Sequence, residues 1–161
     1  MRSMTTFAGI VGIGVFLMAA LAAPVQAEVV VNDSTEIALV AFVPCANGGA
    51  GELVELTGPL HTLISFTING NNVSGLSHFQ PQGISGVGLT TGDTYHATGV
   101  TTDHFKGSFN NGQFNETYVN NFRIIGQGPG NNFLVHENFH FTINANGELT
   151  AVHDNFSIEC R

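Results

Sequence analysis

The stretch from Asn132 to Cys160 restricts the fold of this chain more than any other. Phe133, Val135, Phe139, Phe141 and Ile143 recur at alternate positions, and Leu134, His136, Asn138, His140 and Thr142 fill the places between. Successive side chains of an extended strand point to opposite sides, so this rhythm predicts one apolar and one polar face. Asn144-Ala145-Asn146-Gly147 follows, a run of residues that tolerate positive φ and suit a hairpin loop. The return strand starts near Glu148, carries Val152, Phe156 and Ile158 on one parity, and ends at Cys160.

The same rhythm recurs upstream. Strands are expected at Glu28–Asn32, closed by Asp33-Ser34, and at Glu36–Val43, whose apolar run suits burial on both faces. Glu52–Thr57 alternates, Gly58-Pro59 marks a bend or bulge, and His61–Asn69 continues as a strand. Asn69-Gly70-Asn71-Asn72 is a hairpin turn into a strand from Val73 to about Gln80. The glycine-rich residues 81–92 read as an ordered loop holding at most a short strand. Thr94–Thr101 and Phe114–Ile125 read as strands, and residues 102–109 as room for one helical turn. No ten-residue stretch beyond residue 28 has helical amphipathicity. The fold expected is all-β and antiparallel, an up-and-down β-barrel of about eight strands, with a two-sheet β-sandwich as the alternative. Successive hairpins favour the barrel.

Composition bears on compartment and partners. Arg2, an apolar run from Phe7 to Ala23 and Pro24-Val25-Gln26-Ala27 have the order of a secretory signal peptide over residues 1–27, leaving one domain over 28–161. An uncleaved anchor is the alternative. Lys106, Arg123 and Arg161 are the only Lys or Arg beyond Arg2, against 12 acidic residues. Nucleic acid and anionic membrane are therefore poor partners, because phosphate binding needs clustered cations. Cys45 and Cys160 are the only cysteines, and in an oxidising compartment they are expected to form a disulfide, with two buried thiols as the alternative.

Residues 45–61 (CANGGAGELVELTGPLH), 94–100 (TYHATGV), 120–151 and 154–160 (DNFSIEC) resemble a group of small secreted proteins of unassigned function. These combine a signal peptide with a Gly- and Asn-rich β domain. The resemblance implies one exported domain and no catalytic residue. The Gly-x-Trp of lipocalins is absent, and the chain has no Trp.

Chemistry concentrates in the histidines, seven in all. In His136-Glu137-Asn138-Phe139-His140, positions 136, 138 and 140 project from one face at about 7 Å intervals. His153 on the partner strand can come close to either histidine. An ion bridging His136 and His140 would need a third element between them, and the H-x-H spacing of strand metal sites is missing, so no metal is expected. Arg123 shares its parity with Asn121 and opposes Phe122 and Ile124. Arg123, His136, Asn138, His140 and His153 are thus the candidate ligand-binding residues, with Tyr118 or Asn121 beside them, for a polar or anionic small molecule. The competing reading places Arg123 at the surface, paired with Glu116 or Glu137.

No G-x-S-x-G, H-E-x-x-H or C-x-x-C is present, and Gly126–Asn132 lacks the lysine of a phosphate loop. No cofactor or catalytic residue is called for. Asn32, Asn72, Asn115 and Asn155 each open an N-x-[ST] sequon. Three functions fit: a non-enzymatic barrel binding a small molecule, a structural or surface-interaction domain filled by phenylalanine, and an enzyme using histidine as general acid and base.

Overall fold

The computed structural model describes residues 27–128 and 130–161. The leader expected over residues 1–27 lies outside the described residues, apart from Ala27. Eight strands form one antiparallel sheet: β1 (Ala27–Val43), β2 (Glu52–Asn69), β3 (Asn72–Pro81), β4 (Ser85–Gly88), β5 (Thr94–Ser108), β6 (Phe114–Gly126), β7 (Phe133–Ile143) and β8 (Leu149–Cys160). A 3₁₀ turn, Asn47–Gly49, is the one helical element among the described residues.

Chain order sets spatial order along β1-β2-β3-β5-β6-β7-β8, as up-and-down connection requires. The short β4 pairs with both β2 and β5, so β2, β3, β5 and β4 close a four-stranded antiparallel ring. β1 flanks the ring on one side and β6, β7 and β8 on the other. The all-β barrel is the observed class, and because all eight strands share one sheet the sandwich is set aside.

Two local expectations are corrected. Asp33-Ser34 does not break the first strand: β1 runs through it, and Asp33 and Ser34 pair with Thr62 and His61. The irregularity falls instead at a bulge between Val29 and Val31. Residues 102–109 form no helical turn, since β5 continues to Ser108 with Asp103 opposite both Ser77 and Tyr118. In both places ladder bonds to neighbouring strands outweigh weak local preference.

The alternation assigns each face. Val54, Leu56, Tyr95, Ala97, Ile124 and Phe133 lie on one side of the sheet and, with Val43, Cys45, Ala46 and Ile84, make the buried core. This core fills one end of the barrel. Burying each large apolar side chain there is worth about 1.5–3 kcal/mol. The Cys45–Cys160 disulfide closes that end, with 5.4 Å between Cα atoms and a sequence separation of 115. It joins the chain just beyond β1 to the last residue of β8. Among the described residues these two outer strands share no ladder, so the seam between them is fastened at the disulfide end and open elsewhere. No described helix is long and apolar enough to cross a membrane.

Glu52 is a carboxylate inside the closed end, only 3% exposed. It accepts hydrogen bonds from the Tyr95 hydroxyl (2.8 Å), the Thr91 hydroxyl (2.9 Å) and the backbone N–H groups of Thr91 (3.1 Å) and Thr90 (3.2 Å). Burial by itself would raise its pKa. The hydrogen bonds, led by that of Tyr95, outweigh burial and hold the carboxyl below its ordinary value. Glu52 thereby ties β2 to the β4–β5 turn.

Candidate functional site

The ladder registers separate the charges of the barrel wall by face. Pairing runs His78–Thr102, His104–Thr117, Thr117–His140 and His140–His153 across β3, β5, β6, β7 and β8. Paired residues share a side, and alternation carries that side along each strand to His61, His96, Lys106, Arg123 and His136. All seven histidines, with Lys106 and Arg123, therefore face outward. The inward side carries Asp103, Glu116, Glu137 and Asp154, interleaved with Phe105, Phe114, Phe139, Phe141 and Phe156.

The outward face holds every candidate predicted for ligand binding. His140 and its neighbours are brought together: its Nδ1 lies 2.9 Å from the Thr117 hydroxyl and its Nε2 3.3 Å from the Thr142 hydroxyl. These three residues line an open depression of about 490 Å³ with His104, Lys106 and Asn115. His153 pairs directly with His140 across the final hairpin but lies exposed outside that depression. His136 is separate, its Nδ1 2.8 Å from Asn121 Oδ1. Asn138 stands between Val119 and Asn155, and Arg123 is exposed between Thr98 and Leu134. Arg123 makes no ion pair among the described residues, the Arg161–Glu159 bridge being the one found there. Tyr118 lies on the opposite side of the sheet from Arg123, so the two do not share a site.

Histidine partners on this face are amides and hydroxyls. His61 Nε2, for example, meets Asn32 Oδ1 at 2.9 Å, and His61 and His78 rings stand edge to face with centroids 6.5 Å apart. Among the described residues no histidine pairs with a carboxylate, and no group of three His, Cys, Asp or Glu side chains is placed to hold a metal ion.

The inward face presents a different site. Beyond the core lies an apolar cavity, open to one side, of about 260 Å³ between β1, β2, β3, β5 and β6, walled by Ile37, Leu39, Leu60, Phe79, Pro81, Ile84 and Phe122. Thr101 and Tyr118 are its polar side chains. Next to them, towards the open end, Asp103 pairs with Tyr118 and Glu116 lies one inward position further along β6. Burial raises the Asp103 pKa, opposed by the nearby His104. Burial, then the Asp103 charge, raises that of Glu116. The Tyr118 phenol is pushed up by burial, then by Glu137 and Asp103. Asp103 Oδ1 is buried with no hydrogen-bond partner among the described residues.

These inward acids are the functional candidates that sequence reasoning missed. A signal was there: Glu137 occupies the parity of Val135 and Phe139, and Glu116 that of Phe114 and Tyr118. A charged residue on the apolar side of a strand interrupts the pattern and marks a place where the barrel interior is polar.

No family model, curated protein or solved structure matches this chain.

Proposed function

We propose that this chain is an exported, non-enzymatic β domain that binds a small, largely apolar molecule in the inward cavity. The apolar cavity bounded by Leu39, Leu60, Phe79 and Phe122, with Tyr118 and Thr101 as its polar groups, carries the reading. Binding sites for small molecules combine mainly apolar walls with a few polar groups that fix orientation. Here the walls supply the area and the Tyr118 hydroxyl supplies direction. Glu137 and Asp103, whose charges act on that hydroxyl, disfavour a carboxylate or phosphate at the polar end of the ligand. A neutral or cationic end meets no such repulsion. The Cys45–Cys160 bridge and the signal-like leader support export, since disulfides persist in oxidising compartments.

The test uses an uncharged, environment-sensitive naphthylamine dye. The wild-type protein should bind it saturably with a blue shift in emission. Leu39→Trp, which places an indole in the cavity, should abolish the shift while leaving the circular dichroism unchanged. Equal dye binding by both proteins would remove the cavity as the site. Native mass spectrometry of protein from its own host should then reveal a bound mass that Leu39→Trp lacks.

A further inference from the structure

The last strand has a free edge whose chemistry is self-complementary. Asn132 and Arg161 exchange both backbone hydrogen bonds, each 3.0 Å. An antiparallel ladder alternates hydrogen-bonded and non-hydrogen-bonded pairs. The odd-numbered residues of β8 from Glu159 back to Ala151 thus direct their N–H and C=O groups to β7. Val152, Asp154, Phe156 and Ile158 direct theirs outward, to an edge that no described strand covers. The same four side chains lie on the inward face, where Val152, Phe156 and Ile158 are 57%, 55% and 48% exposed. β8 contains no Pro, Gly or Lys, the residues that usually blunt an edge.

We infer that β8 is a docking edge for β8 of a second copy of this chain, in antiparallel register about a twofold axis at Asn155. The outward-pointing backbone groups must pair with one another, which admits only registers that match even residues with even residues. With the axis at Asn155, Val152 pairs with Ile158, Asp154 with Phe156, and each pair occurs twice. Val152 and Ile158 join apolar to apolar, no carboxylate faces a carboxylate, and His153 on the other side meets Ser157. Moving the axis to Asp154 sets that carboxylate against itself, which costs stability between directly opposed like charges. Moving it to His153 sets Asp154 on Val152 and Phe156 on Thr150, and moving it to Phe156 shortens the overlap.

Asp154 therefore acts as a register key. The other free edge, β1, fits β8 less well: it carries Glu28, Asp33 and Glu36 and is bent by the bulge at Val30. Edge pairing between copies is thus closed and isologous, not an open chain of β1-to-β8 contacts.

Sedimentation equilibrium supplies the first test: the wild-type domain should run at twice its chain mass. A single-chain mass up to the solubility limit would overturn the inference. Phe156→Glu sets a second carboxylate directly against Asp154, at two places in the dimer, and should halve the sedimenting mass. Phe156→Lys brings an opposite charge to the same place and should keep the dimer. Loss of the dimer in both variants would show a non-specific apolar contact and sink the register. Asn155→Cys checks the axis directly. Non-hydrogen-bonded partners sit about 4.5 Å apart at Cα, within disulfide reach of about 4.4–6.8 Å. Mild oxidation should crosslink Asn155→Cys fully and leave Ser157→Cys, about 14 Å from its twin, uncrosslinked. Equal crosslinking of the two would overturn the register.

Discussion

The Tyr95 hydroxyl donates a 2.8 Å hydrogen bond to Glu52 across the closed end of the barrel, joining two residues 43 positions apart in sequence. Tyr95 is completely buried. The bond has a direct consequence: Tyr95→Phe leaves the ring in place and removes one of the four donors to a buried carboxylate. A hydrogen bond to a charged group is worth about 1.5–3 kcal/mol. Urea unfolding of Tyr95→Phe should show a loss of that size with an unchanged slope.

Glu52 also sets an acid limit. Its folded-state pKa lies below its unfolded value, so its contribution is present above the unfolded value and disappears as pH falls through the folded one. Stability of the wild-type domain should drop as pH is lowered below the ordinary carboxylate range, and Glu52→Gln should flatten that part of the curve. Thermal midpoints measured across the acid range check this.

Asp103 behaves in the opposite sense. Its pKa is raised in the folded state, so the ionised carboxylate opposes folding and protonation relieves that cost. Asp103→Asn should be more stable than wild type at neutral pH. The advantage should vanish as pH falls below the unfolded carboxylate value, where both forms are uncharged in both states. Paired urea midpoints at neutral and acid pH give the comparison.

Gly75 lies opposite Phe105 on the inward face, and a Cβ at position 75 would run into the Phe105 ring. Gly75→Val should therefore cost roughly 1–3 kcal/mol as an overpacked position. In the double variant with Phe105→Ala the two effects should sum to less than their separate costs, because the collision is removed. A double-mutant cycle in urea measures the coupling.

Replacing Cys45 and Cys160 together by Ser should destabilise the domain by up to roughly 4–5 kcal/mol, since the bridge closes a loop of over a hundred residues. Hydrogen exchange should speed up first in residues 149–160, because within one chain only β7 then holds β8.

Much of the architecture was legible from residues alone. The Phe133–Ile143 alternation and the Asn144–Gly147 turn announced the final hairpin, while its register shift between Thr142 and Ile143 was not foreseen. The disulfide was legible because a chain with two cysteines offers each of them one partner. The Asp33-Ser34 break was misjudged because the ladder to β2 overrides local turn preference. The side on which the histidines stand was not legible for a different reason: alternation sorts residues into two sets but does not say which set faces inward when one face holds both Phe and Glu.

The chain's own pattern settles that it forms antiparallel ribbons, that they succeed one another in space, and that Cys45 has only Cys160 to join, because these follow from local geometry and counting. The side on which Arg123 and the histidines stand relative to the cavity, the burial of Glu52 under Tyr95, and the exposed edge of β8 depend on how far the sheet curls before the disulfide stops it. That curl is a sum of twists and contacts over all eight strands, and no single stretch of residues encodes it.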